Sequence, residues 1–253
     1  MFEGLPFVGD PWFYAVAVPA VLITGLAKSG FATGFSGVAT PMLALTMPVP
    51  QAAAIMLPLL MTMDATGLHQ LWRERDPRLV RLLVPAGLLG TAVGWLLFGL
   101  LSSKAVAGLV GGLTLLFLAQ RLLFPPRAEG AAAPRWAGRV LATVSGFTSF
   151  VAHAGGPPVS AYLLPLKLPP RTLGATLAVF FATLNAAKVL PYASLGLIDL
   201  RNMATSALLL PLAPLGVWAG VWLLRRTDPR WFYRLAYAGM FLTGGKLLWD
   251  GLK

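Results

Sequence analysis

The chain alternates between long apolar regions and short polar loops. Eight apolar regions span residues 12–47, 51–72, 79–101, 105–124, 140–168, 172–197, 203–224 and 231–249. A helix needs about 20 apolar residues to cross a bilayer, and six of the regions have roughly that length. The first and the fifth are longer and contain glycine, proline and polar residues. The pattern predicts an all-α, polytopic membrane protein.

The two long regions are interrupted at matching places. In the first, residues 28–41 run Lys-Ser-Gly-Phe-Ala-Thr-Gly-Phe-Ser-Gly-Val-Ala-Thr-Pro. In the fifth, residues 149–160 run Ser-Phe-Val-Ala-His-Ala-Gly-Gly-Pro-Pro-Val-Ser and begin 121 positions later. Two polar, helix-breaking interruptions in corresponding parts of two halves are typical of a transporter binding site.

The halves of the chain resemble each other beyond these interruptions. Pairing each residue with the one 121 positions later requires no gap over residues 24–55, and it also pairs Asp64 with Asn185. Further on the offset becomes 126, and glycines and a proline match again. We therefore predict a duplicated unit of four regions. Its parts are a first repeat (1–124), a basic linker (125–139) and a second repeat (140–253).

Charge composition supports the membrane interpretation and orients the chain. Only 11% of residues are charged, against about 25% in soluble domains. The formal net charge is +11, but the basic residues lie between apolar regions, which favours cytoplasmic loops over nucleic-acid binding. Three basic loops, 73–81, 121–139 and 225–234, are predicted to be cytoplasmic. The protein is expected to be a multi-pass protein of the bacterial inner membrane, with the lipid bilayer as a partner.

Eight full crossings would place these basic loops on opposite sides of the membrane. The conflict disappears if region five, and by analogy region one, enters and leaves from the same side. Each half then has one broken re-entrant helical hairpin and three transmembrane helices. Because three is odd, the two repeats are inverted. The arms 140–152 and 156–168 would each be about 20 Å long as helices, so both breaks would lie near the midplane.

The interruptions carry the residues of a candidate binding site. A half-helix that begins after Gly34 or Gly156 presents unpaired N–H groups and a positive dipole end, which bind anions. Glycines let a ligand approach the backbone, and hydroxyls add donors. Alternatively, the glycines only allow close helix packing. The candidates from the two interruptions are Thr33, Gly34, Ser36, Gly37, Gly155, Gly156, Pro157 and Ser160.

Ionisable residues within the apolar regions extend this site, because burial of charge in a membrane usually has a functional reason. Lys28 and His153 precede the two breaks, and Lys188 lies one turn after Asn185. The lysines could instead snorkel to an interface, and His153 could be a structural core residue. Asp64 is either a salt-bridge partner for a lysine or a protonatable coupling group.

Several classes of chemistry are disfavoured. The chain has no cysteine and only two histidines, which argues against thiolate and histidine metal sites. It contains no Walker loop, HExxH, paired-carboxylate or nucleophile arrangement, so we expect neither an enzyme nor a cofactor or metal. The tryptophans lie near segment ends, as in an aromatic belt.

The sequence motifs of the two interruptions resemble those of a known family. Gly34-Phe35-Ser36-Gly37-Val38-Ala39-Thr40-Pro41 and His153-Ala154-Gly155-Gly156-Pro157-Pro158-Val159 resemble the TauE/SafE family of sulfite and organosulfonate exporters. The resemblance implies a secondary transporter, expected to be an exporter, of a small inorganic or organic sulfur anion such as sulfite, a sulfonate or sulfoacetate. A passive anion channel and a non-transport membrane enzyme or assembly factor stay open as alternatives. A homodimer also stays open.

Overall fold

The computed structural model describes residues 7–28, 37–98, 100–123, 134–224 and 229–253. Within these residues the regular structure is helical, which confirms the predicted fold class. The helices are α1 (Pro11–Leu26), α2 (Ala39–Leu43), α3 (Val49–Leu71), α4 (Pro77–Phe98), α5 (Ser103–Leu123), α6 (Arg135–Ala152), α7 (Gly156–Leu163), α8 (Pro170–Ser194), α9 (Leu200–Leu209), α10 (Leu212–Leu224) and α11 (Pro229–Leu252).

Both interrupted regions are divided into two helices. The fifth region breaks between α6 and α7. The ring of Tyr162 lies so close to Gly138 that an added Cβ there would be 2.6 Å from it, so α7 folds back along α6 as a hairpin. The first region divides between α1 and α2, which also pack together. Residues 29–36 of that interruption lie outside the described residues.

The arms of the second hairpin differ in length from the prediction. Helix α6 begins at Arg135, so the last five residues assigned to the linker are helical. Its first turn exposes Trp136, and a helix can extend beyond the apolar layer because its backbone hydrogen bonds are internal. Helix α7 ends at Leu163 and passes into a 3-10 turn that ends before Lys167, whose φ is +50°. Prolines at 165 and 169 stop the helix earlier than the apolar pattern suggests.

The seventh region is also divided, although its apolar pattern predicts one continuous helix. Helix α9 ends at Leu209 and α10 begins at Leu212. Pro211 in the gap has no N–H to continue the helical ladder. Residues Leu200–Ala219 together are nevertheless long and apolar enough to cross a membrane, as are Pro77–Phe98, Ser103–Gln120 and Pro170–Ser194 among the described residues.

Large apolar side chains face outward on the peripheral helices. Leu96 on α4, Leu116 on α5, Leu215 on α10 and Leu242 on α11 are each more than half exposed. Along α3, by contrast, residues 52–57, 59 and 60 are buried. An outer surface of this kind is expected to face lipid rather than water, and it supports the multi-pass membrane protein.

Helices of the first half of the chain pack against helices of the second half. Helix α1 lies against α10, and α6 lies against α4. Helices α3 and α8 pack together, as do α5 and α11. Each of these four pairs joins the first half to the second. Under the sequence offsets α1 corresponds to α6 and α4 corresponds to α10, so the pair α1–α10 is the counterpart of the pair α6–α4. A two-fold relation between repeats would produce this arrangement, although the division into repeats stays a prediction.

Matched glycines lie where α6 crosses α4 and where α1 crosses α10. On α6, a Cβ at Gly146 would be 1.9 Å from the carbonyl oxygen of Gly87 on α4. On α1, a Cβ at Gly25 would be 2.7 Å from the carbonyl carbon of Gly216 on α10. Gly25 pairs with Gly146 at the offset of 121 residues. For these glycines the packing interpretation holds, because the backbones approach more closely than any side chain allows.

Contacts between helix ends show which loops share one end of the bundle. Glu74, after α3, forms an ion pair with Arg171 at the start of α8 (3.2 Å). Nearby, the backbone N–H of Asp76 donates to Thr176 Oγ1 (3.1 Å). Elsewhere, the N–H of Val8 donates to Thr205 Oγ1 on α9 (3.0 Å). The end of α3 therefore lies beside the start of α8.

Candidate functional site

A buried polar cluster lies where α3 packs against α8. Asn185 Nδ2 donates to Asp64 Oδ2 at 2.7 Å, joining two residues 121 positions apart. Each stands 15 residues after the first residue of its helix, Val49 for α3 and Pro170 for α8. Asp64 is 5% exposed and Asn185 2%. The two residues that the sequence offset paired are thus in direct contact inside the bundle.

Lys28 reaches this pair from the end of α1. Its ammonium forms an ion pair with Asp64 Oδ1, and it lies 6.0 Å from the centre of the Phe181 ring. Both carboxylate oxygens of Asp64 are therefore occupied, one by Lys28 and one by Asn185. The structure shows Asp64 as a salt-bridge partner; its role in coupling stays a prediction.

Lys188 is fully buried, so it does not snorkel to an interface. Its Nζ lies within hydrogen-bond distance of four acceptors. They are the carbonyl oxygen (2.7 Å) and Oγ (2.8 Å) of Ser149, Asn185 Oδ1 (2.9 Å) and His153 Nδ1 (3.0 Å). This coordination compensates the cost of burying the amino group.

His153 closes α6 in a left-handed conformation, with φ 54° and ψ 24°. Histidine is one of the few non-glycine residues that adopt this region. Its Nε2 lies 2.9 Å from the carbonyl oxygen of Ala53 on α3. Because a carbonyl only accepts, Nε2 carries the hydrogen, and Nδ1 is then free to accept from Lys188. We assign a neutral imidazole from these two partners, because the hydrogen positions follow from the contacts.

The same reasoning assigns a charge to Lys188. The Ser149 carbonyl, His153 Nδ1 and Asn185 Oδ1 can only accept in this network, so three N–H groups are required of Nζ. An ammonium supplies three and a neutral amine only two. With this assignment, in which Lys28 and Lys188 are positive, Asp64 negative and His153 neutral, the described residues of the cluster sum to a net charge of +1.

A small cavity adjoins the cluster. Its lining consists of Lys28, Leu60, Ser149, His153, Phe181 and Asn185, and it has room for about one water molecule. Leu60 and Phe181 form the apolar wall of this cavity. Lys188 lies behind this lining, in contact with Ser149, His153 and Asn185.

The structure brings together Lys28, His153, Asn185 and Lys188, four of the residues predicted for the site. The glycine-proline motif is placed differently. Gly155, Gly156, Pro157 and Ser160 belong to the start of α7 or its cap, and they are not among the residues that line this cavity. Their role in binding stays a prediction.

The two interruptions nevertheless touch each other. An added Cβ at Gly37 would lie 2.6 Å from the Cβ of Ala154. Gly155 is held by its carbonyl oxygen, which accepts from Ser145 Oγ at 2.5 Å. Thr33, Gly34 and Ser36 lie outside the described residues.

Two contributors to the cluster were missing from the predicted site. Ser149 binds Lys188 through both its carbonyl and its hydroxyl, and Ala53 accepts from His153 through its carbonyl. Ser149 occupies the position 121 residues after Lys28, a signal that could have identified it. The carbonyl of an alanine leaves no signal in a sequence.

Comparisons with known proteins assign the chain to a family. A search of curated proteins and a search of solved structures each found no match. The family model described as Sulfite exporter TauE/SafE matches residues 17–247, nearly the whole chain and every element of the cluster. The family is one of transporters and not of enzymes. The chain therefore belongs to the sulfite exporter TauE/SafE family of membrane transporters.

Proposed function

We propose that the protein is a secondary transporter that exports a small sulfur-containing anion, such as sulfite or a sulfonate. The observation that carries this proposal is the largely buried cluster, whose described residues include two lysines and one carboxylate, Asp64. A buried net positive charge is costly, and an anion bound beside Lys28 would compensate it. Intramembrane charge is itself a mark of a transport pathway.

Hydrogen-bond capacity also favours an anion. Lys28 uses one N–H on Asp64, and Asn185 uses one of its two amide hydrogens. Ser149 Oγ accepts from Lys188 and so retains its own hydrogen for donation. Within the part of the chain that the structure describes, the polar groups that line the cavity thus keep donors without a partner, which suits the oxygens of a sulfite or sulfonate group.

The size of the cavity supports alternating access. A space for about one water molecule is too small for an anion of four or more heavy atoms. The helices around the cluster therefore have to separate for the anion to enter and to leave. Because the cluster lies between α3 and α8 of the two proposed inverted repeats, movement of one repeat against the other would open it. An exporter takes up its anion from the cytoplasmic side, which is the side on which we expect the basic loops to lie.

Ligand-dependent thermal stability tests this proposal. The purified chain has eight tryptophans and no cysteine, so unfolding in detergent is followed by intrinsic fluorescence. Sulfite and sulfonates should raise Tm, since a ligand that binds the native state stabilises it by mass action. Acetate and chloride serve as comparison anions.

Matched lysine variants identify the site. Lys28→Gln should abolish the stabilisation by sulfite. Lys246→Gln should preserve it, because Lys246 is exposed and pairs only with Asp250 on its own helix among the described residues. Equal stabilisation of both variants would contradict the assignment of the site. No shift with any sulfur anion, together with turnover of a lipid or protein substrate, would favour the enzyme or assembly-factor alternative.

A further inference from the structure

We propose that the cluster selects singly charged anions over doubly charged ones, and that Asp64 is the residue that sets this selectivity. The inference rests on the proposed function and names the charge class of the substrate. Its basis is the geometry of four groups: Lys28 and Asp64 in an ion pair, Lys188 surrounded by acceptors, and His153 between Lys188 and a carbonyl.

Charge balance gives the selectivity. The empty cluster carries +1, so a monoanion makes it neutral, whereas a dianion leaves −1 in a buried environment. An uncompensated buried charge is strongly unfavourable. A sulfonate and hydrogen sulfite carry one charge and fit the site as it stands. Sulfate carries two and does not.

Asp64 sets this balance because it is the single carboxylate that contacts the cluster among the described residues. It is held by Lys28 on one oxygen and by Asn185 on the other. Without its charge the cluster would carry +2 and match a dianion. Asn185, the residue 121 positions later, has nearly the same shape as aspartate but no charge. The chain thus places one charged and one neutral side chain at two corresponding positions.

Lys188 contributes its charge to anion binding indirectly, through the groups that it contacts. It does not line the cavity, and its N–H groups are directed at protein acceptors. Its charge reaches the anion through Ser149, whose hydroxyl accepts from Nζ and can donate into the cavity. Lys28 and Ser149 are accordingly the direct ligands, and they occupy corresponding positions of the two halves.

The test compares methanesulfonate with sulfate, two tetrahedral anions that carry one and two charges. Their dissociation constants are measured by thermal shift at one fixed pH and constant ionic strength. For the native protein we expect methanesulfonate to bind at least about tenfold more tightly, since one buried charge at contact distance exceeds the energy of a tenfold change. The methyl group also contacts the apolar wall, so the native ratio alone does not isolate charge.

Three variants separate the effect of charge from the effect of the methyl group. Asp64→Asn should shift the preference toward sulfate by at least about tenfold, and Asn185→Asp should shift it further toward methanesulfonate. The exchange Asp64→Asn/Asn185→Asp restores the net charge and should restore the native ratio. If Asp64→Asn fails to fold, the other two variants still decide the question.

Two results are distinguishable. If sulfite binds but the ratio of the two constants is the same in all folded variants, charge selection by Asp64 is wrong and the proposed transporter stands. If neither sulfite nor either probe binds the native protein, the proposed function fails, and the inference fails with it.

Discussion

Replacing Gly146 with alanine is a direct test of the crossing that holds α6 against α4. The new Cβ would lie 1.9 Å from the carbonyl oxygen of Gly87. Ordinary van der Waals contact begins at 3.4 Å, so the two helices would have to separate by about 1.5 Å. The opposing atom belongs to the backbone and cannot rotate away. The hairpin of α6 and α7, which carries Ser149 and His153, would move with α6.

The expected loss in the free energy of unfolding follows from two opposing effects. Overpacking of a close contact costs about 1–3 kcal/mol, and a backbone neighbour places this site at the upper end. Alanine regains about 1 kcal/mol of helix propensity over glycine. The net loss should be about 2 kcal/mol, or roughly 4–8 °C in Tm for a chain of this size. Thermal unfolding in detergent, followed by tryptophan fluorescence, measures this loss.

Gly245 provides the matched control. It lies within α11, and an added Cβ there would meet no atom within 4 Å. Gly245→Ala should therefore raise the free energy of unfolding by about 1 kcal/mol through propensity alone. If Gly146→Ala proved as stable as Gly245→Ala, the close crossing of α4 and α6 would be refuted.

Two further predictions concern the cluster and the topology. Lys188→Met should destabilise the protein by about 3–5 kcal/mol, because removing one member of a buried charged network leaves its partners unsatisfied; an unchanged Tm would contradict the network. In the cysteine-free chain, Lys104→Cys should react with an external membrane-impermeant maleimide, because the loop 102–104 has one basic residue and is expected to lie outside. Arg139→Cys, in a basic loop, should not react in vesicles with native orientation. External labelling of position 139 would overturn the proposed orientation.

The sequence predicted those parts of the fold that depend on apolar length and helix breakers. The two-glycine, two-proline run at 155–158 predicted the break between α6 and α7, and the offset of 121 residues predicted that Asp64 and Asn185 correspond. The break at Leu210 was missed, although Pro211 signalled it. Its counterpart Pro85 lies inside the unbroken α4, so proline alone does not determine where a helix ends.

The cluster was predictable in its charged members and not in their partners. Lys28, Asp64 and Lys188 are conspicuous in an apolar chain. Their pairing depends on which helices pack together. The positions of the lysines in the sequence do not show that Asp64 binds Lys28 while Lys188 donates to Ser149. The left-handed conformation of His153, which directs its ring toward Ala53 and Lys188, follows from the packing of the hairpin.

The central claim is that the cluster around Lys28 and Asp64 binds a sulfur anion and carries it across the membrane. Counterflow of radiolabelled sulfite into proteoliposomes preloaded with unlabelled sulfite tests it most directly. We expect saturable counterflow by the native protein and by Lys246→Gln, and none by Lys28→Gln. Flux that rises linearly with concentration would indicate a channel, and native counterflow by Lys28→Gln would contradict the site.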